Sequence, residues 1–287
     1  MQGTFIGFNT AGITFEDRFL ALLLKIKQPN GLCQQYYLQA PILHDLLLIL
    51  QNRLLATYKR LQEEGEIYKE ALIAYNESLI ANIPAVEMAE IQQPNPERRI
   101  MSITLKPGEK ESTLILVLQN EQICTLCIED RQVEALLAGI QQALKTVNDQ
   151  AVIQYLSSNM DFLMCYTVDL TTQPNIDYQQ YPQEEWKLNL FSHYLGVLYC
   201  CETEEGKKIV SGAVVKTSVP HLSELENNIV MQLIEKSPKL KAMHAELAPC
   251  QIFSTIIPSQ PGRMLSLEEC LRPLHAFYLE KKAELSA

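Results

Sequence analysis

Two stretches of this chain, residues 19 to 54 and 109 to 144, carry the same signals in the same order, and that order limits the fold more than any other feature. In the first, FLALLLKIK turns at Pro29-Asn30-Gly31 into LCQQYYLQA and then PILHDLLLILQNRL. In the second, STLILVLQ turns at Asn120-Glu121 into QICTLCIED and then RQVEALLAGIQQAL. At one constant offset, Asn30 falls on Asn120, Leu46 on Leu136, Leu47 on Leu137, Gln51 on Gln141 and Leu54 on Leu144. Each stretch predicts a β-hairpin whose second strand feeds an amphipathic helix. Five identities over 25 positions also arise from shared binary patterning, so duplication and convergent pattern both stand.

Around these units the remaining segments fall into place. GTFIGFN, residues 3 to 9, predicts a first strand. Pro41 suits a first helical turn, where a missing N–H has no intrahelical acceptor. Ile42, Leu46, Ile49, Leu50, Leu54, Leu55, Tyr58 and Leu61 then form a stripe at spacings of 3 and 4. Gly65 bends or interrupts this helix before it ends at Pro84, giving roughly 40 helical residues against a usual mean near 12. QQPNPERR is a stiff loop, because proline fixes its own φ and restricts its neighbour. A domain boundary is expected near residue 149, where KTVNDQ loses its apolar pattern, dividing the chain into 1–149 and 150–287.

In the second half, WKLNLFSHYLGVLYCCETEEGKKIVSGAVVKTS and HLSELENNIVMQLIEK give a third hairpin followed by a helix. Ser266 and Glu269 fit a capping box at the head of a last helix. The predicted class is α+β, with two domains of mostly antiparallel sheets, helices packed on one face, and repeated hairpin-helix units.

A net charge of -10 and a pI near 5.1 argue against nucleic acid or an anionic membrane as partner, since both need clustered Lys and Arg. The start, MQGTFIGFNTAG, lacks a secretory pattern, and apolar runs such as FLALLLKI are too short to span a bilayer. A cytoplasmic location follows, in which the eight cysteines read as free, mostly buried thiols.

Motifs for chemistry are sparse. Cys124-x-x-Cys127 lies on a strand, where positions three apart face opposite ways, and no second ligand pair accompanies it. The histidines (His44, His193, His221, His244, His275) form no HxxxH or HExxH spacing, no phosphate loop or nucleophile elbow exists, and no cofactor or metal is expected. Asp161 and Asp169 flank a strand, Glu184-Glu185 precede the single Trp186, and His193 follows, so Asp169 and His193 are candidates for acid-base work. The aromatic run from Tyr178 to Tyr199 suggests a partner surface, with Tyr178, Tyr181 and Trp186 as binding candidates beside Arg98 and Arg99 of the stiff loop.

The phrases QQPNPERR, LQNEQICTLCIED, EEWKLNLFSHYLGVLYC and GKKIVSGAVVKT resemble the YjeJ-like proteins of enterobacteria. The resemblance implies a bacterial cytosolic setting and carries no catalytic residue, cofactor or partner to this chain. Three functions are therefore weighed on the residues themselves. The leading one is a non-enzymatic interaction or regulatory factor that binds a protein partner or a second copy of itself. A hydrolase with Asp169, Trp186 and His193 in one pocket is the first alternative. An acidic inhibitor of a basic protein is the second, resting on Glu63-Glu64-Glu66 and Glu202-Glu204-Glu205.

Overall fold

Both turns marked by the sequence close hairpins in the computed structural model, which describes residues 4–158, 160–171, 177–202, 206, 208–219, 223–243, 251–260 and 262–285. The chain divides into two compact units, residues 1–158 and 159–287. The class is α+β with antiparallel sheets.

The first unit runs β1 (Gly7–Phe15), β2 (Arg18–Lys27), β3 (Cys33–Leu38), α1 (Ala40–Glu64), α2 (Glu66–Ala81), α3 (Met88–Gln92), β4 (Ile100–Pro107), β5 (Glu111–Leu118), β6 (Ile123–Glu129), α4 (Asp130–Leu144) and α5 (Gln150–Ser157). Two three-stranded meanders result, β1-β2-β3 and β4-β5-β6. The β2–β3 and β5–β6 turns are built alike. Asn30 Oδ1 accepts from Leu32 N and Asn120 Oδ1 from Gln122 N, while Gly31 and Glu121 take left-handed φ values of 81° and 64°. Register follows the same offset, with Leu22 opposite Leu38 and Ser112 opposite Ile128.

Each long helix serves the other sheet as well as its own. α4 lies across β1, where Thr10 Oγ1 donates to Gly139 O at 2.8 Å and the absence of a Gly139 side chain admits Phe8. α1 lies against β4 as well as β2 and β3. Gly65, at φ 62°, separates α1 from α2, so of the bend and the interruption expected there it is the interruption that occurs.

The first strand differs from the expected residues 3 to 9. It spans Gly7–Phe15 and turns into β2 through Glu16 and Asp17, both at positive φ. Neither glycine nor asparagine marks this turn, and although aspartate enters the left-handed region more readily than most residues, Glu16-Asp17 is not one of the dipeptides that signal a two-residue hairpin, so sequence signals pass over it.

The second unit holds β7 (Phe162–Asp169), β8 (Asp177–Gln180), α6 (Glu185–Leu188), β9 (His193–Glu202), β10 (Lys208–Thr217), α7 (Ser223–Lys236), α8 (Pro238–Met243), β11 (Gln251–Ile257) and α9 (Leu267–Leu285). Its sheet is antiparallel in the order β11-β9-β10-β7-β8. Here the expectation of helices on one face is corrected. Leu225, Ile229 and Leu233 of α7 pack on Leu195, Val197, Ala213 and Val215. The alternate residues Gly196 and Gly212 face α9, and a β-carbon at either would sit 3.1 Å from a Leu274 methyl. Both faces are covered because LGVLYCC and IVSGAVV are continuous buried runs, without the polar alternation of a half-solvated sheet.

Candidate functional site

The α9 face of the second unit carries a cleft of about 410 Å³ whose walls include Cys165, Tyr166, Tyr181, Leu188, Tyr194 and Met264. A β-bulge helps to shape it. Val214 opposes Tyr166 and Val215 opposes Met164, leaving Cys165 as the extra residue on β7. Such a bulge re-aims side chains, and Cys165 and Tyr166 both reach the cleft. Tyr181 N donates to Cys165 O at 2.9 Å and Gln183 Nε2 to Met164 O at 3.0 Å, which pins the opposite rim. The segment before α9 closes the third side. Ser266 N donates to Glu269 Oε2 and Glu269 N to Ser266 Oγ, the capping box that the spacing predicts, and Leu265 N donates to Tyr194 Oη at 3.3 Å.

Lys216 lies against these walls. It occupies β10 directly opposite Tyr194 of β9 and is only 2% exposed. Its Nζ donates to Leu188 O at 2.7 Å and stands 5.0 Å from the centroid of the Tyr194 ring. No carboxylate pairs with it among the described residues. Desolvation lowers its pKa from the ordinary lysine value. The surrounding acids shift in the sense that keeps them neutral. Burial pushes the thiols of Cys165 and Cys270 up to about 12 and raises the phenols of Tyr166 and Tyr194.

The lysine shift has a consequence for stability. A base whose folded pKa lies below its unfolded one binds fewer protons when folded, so stability rises with pH between the lowered value and 10.5. At neutral pH the buried charge is therefore a cost. Lys216→Met is expected to stabilise the second unit by about 1 kcal/mol at pH 7 and to flatten that rise. Denaturant melts at pH 7 and pH 10 compare the two proteins directly, and an equal rise in both would refute it.

The residues singled out by sequence do not converge. Asp169 and Tyr178 share a smaller cleft of about 320 Å³, where Asp169 pairs with Lys239 at 2.5 Å. That ion pair and the Thr171 amide hold its carboxyl below the usual range against the opposing effect of burial. His193 is exposed at the far end of the sheet. Asp169 opposes Ser211 and His193 opposes Thr217, six residues along β10, a separation of about 20 Å at ~3.3 Å per residue. Trp186 is buried at 8% exposure and donates Nε1 to Glu184 Oε2 at 2.6 Å, so its ring packs inward rather than forming a surface. Tyr181 alone of these candidates lines the larger cleft.

Arg98 and Arg99 belong to the first unit and are half-buried. Arg99 bridges Tyr37 through the backbone, joining the two meanders at β3. Cys124 is half-buried beside Tyr36, and Cys127 donates to Glu111 Oε2 at 3.2 Å, with burial raising its thiol to about 12. His44 Nε2 contacts Ser158 O at 2.9 Å, a structural bond. His221, His244 and Cys250 lie outside the described residues. Cys33 is exposed, unlike the other described cysteines. The carboxylates of Glu63, Glu64 and Glu66 pair with Lys59, Arg60 and Lys69, while Glu204 and Glu205 lie outside the described residues. Among the described residues, no group of three metal-ligating side chains forms and no helix is long and apolar enough to cross a membrane.

The sequence pattern of the YjeJ-like family matches residues 1–284. The chain belongs to the YjeJ-like family. It is 32% identical over 270 residues to the uncharacterised protein YjeJ of Escherichia coli (strain K12), covering 94% of this chain and 93% of that relative. No solved structure matches it. Sequence reasoning missed the most unusual group of this YjeJ-like chain, Lys216. The available signal was a lysine late in an otherwise apolar strand, GAVVKT, which reads equally well as the polar end of the strand.

Proposed function

We propose that this protein is a cytoplasmic ligand-binding regulator whose second unit takes a small molecule in the cleft over Lys216. The observation that carries this reading is the cleft itself. At about 410 Å³ it has the size of ordinary small-molecule sites, its walls include apolar and aromatic surface, and the Lys216 ammonium lies behind two of them, Leu188 and Tyr194. Protonation states favour binding over covalent chemistry, because a thiol raised to about 12 and raised phenols are poor nucleophiles and bases at neutral pH. Binding orders the rim at Tyr181 and the head of α9, and the output passes to a protein partner. The acidic charge of -10 disfavours nucleic acid in that role.

A small-fragment screen by NMR on the full-length protein, with methionine methyls labelled, tests the reading. Fragments are expected to shift Met264, which lies in the cleft wall, and to leave Met101 of the first unit unmoved. A screen of flat, apolar fragments that leaves Met264 unmoved would remove the proposal.

A further inference from the structure

Resting on that ligand-binding reading, we infer that the ligand is a carboxylate borne on a flat apolar body, with Lys216 as its counter-ion. An ammonium carries three donors, and Leu188 O is the single acceptor that Lys216 Nζ meets among the described residues. A buried charge without a counter-charge is costly, and an incoming anion removes that cost while making a charge-assisted hydrogen bond. The position is suitable because Leu188, Tyr194 and Cys165, which lie around the ammonium, are also cleft walls. No residue of the lining carries a formal charge that would compete for it or repel an anion.

The body of the ligand follows from the rest of the wall. Tyr166 and Tyr194 offer aromatic surface against which a planar group stacks. The opening turn of α9 contributes its positive end, although the Glu269 carboxylate, held by Ser266 and Arg263, offsets part of it. A singly charged carboxylate fits this environment better than a phosphate. The site has one buried ammonium and no arginine fork, whereas a phosphate dianion calls for several convergent donors.

The test uses the full-length protein labelled with ¹³C,¹⁵N-lysine and titrated with benzoate, its neutral isostere benzamide, and phenyl phosphate. The Lys216 signal is assigned by its loss in Lys216→Arg. Benzoate is expected to shift that signal, to raise its titration midpoint, and to bind about tenfold or more tightly than benzamide. Lys216→Met, checked for a native melt, is expected to lose this preference; the wild-type comparison stands even where the variant folds poorly. Equal affinity for benzoate and benzamide, with both moving Met264, would leave the ligand-binding reading intact and overturn the anion. Tighter binding of phenyl phosphate would overturn the carboxylate class. Binding of none of the three, with Met264 unmoved by neutral fragments too, would remove both readings together.

Discussion

Replacing Asp130 by alanine lowers the stability of the first unit by about 3 to 5 kcal/mol. Asp130 opens α4 and its side chain is 2% exposed, yet it meets two guanidiniums of α1. Arg53 Nε donates to Oδ1 at 2.8 Å and Arg60 Nη1 to Oδ2 at 2.8 Å. The same arginines reach the β4–β5 turn through Gly108 O and Glu109 O. One carboxylate therefore neutralises two largely buried cations while tying α1 to the second meander. Its removal leaves the Arg53 guanidinium without a counter-charge, leaves Arg60 only the more distant and more exposed Glu64 carboxylate at 3.8 Å, and also strips a favourable anion from a helix N-terminus. Hydrogen exchange read by mass spectrometry is expected to show faster opening in peptides of α1 and α4, with the β9 and β10 peptides unchanged. Asp130→Asn, which keeps the shape and one acceptor, is expected to cost less. A loss below about 1 kcal/mol for the alanine variant would place the cluster with ordinary surface ion pairs.

The first unit was legible where local chemistry dictates structure. Asn30-Gly31 and Asn120-Glu121 announce turns, Pro41 announces a helix start, and the stripe from Ile42 to Leu61 gives the helix its length. The sequence is silent on the β1–β2 turn because Glu16 is no turn former and Asp17 is not followed by the glycine that completes a hairpin signal. It is equally silent on which helix covers which sheet, since an amphipathic face states only that something covers it. That α4 lies on β1 is a long-range outcome, visible afterwards in the contact of Gly139 with Phe8.

In the second unit the continuous apolar strands announced burial without naming what buries them. The candidate site was the least legible part. Strand residues six apart on a shared neighbour cannot meet, so Asp169 and His193 separate once register is known. Lys216 acquires its character wholly from burial and from α6, whose Leu188 carbonyl it reaches.

Leu274→Ala is expected to cost the second unit about 2 to 5 kcal/mol and to weaken ligand binding although Leu274 is not a cleft residue. Its side chain is 1% exposed and fits the notch left by Gly196 of β9 and Gly212 of β10. Two glycines set diagonally on neighbouring strands, Gly196 opposite Val214 and Gly212 opposite Leu198, let α9 approach the sheet closely, and the leucine fills the space that their missing β-carbons leave. Truncation opens a cavity there that close-packed neighbours fill only in part. The helix that loses this anchor is the one whose first residue, Leu267, lines the cleft together with Leu265 and Ser266 of the segment leading into it. Looser seating of α9 therefore weakens the Leu265 N to Tyr194 Oη bond and, with it, the ring beneath which Lys216 is held. The expected pattern is a lower denaturation midpoint, faster exchange along α9, and reduced affinity for benzoate and benzamide by the same factor. A selective loss of benzoate would mean that Leu274 acts on the charge of the site rather than on its walls.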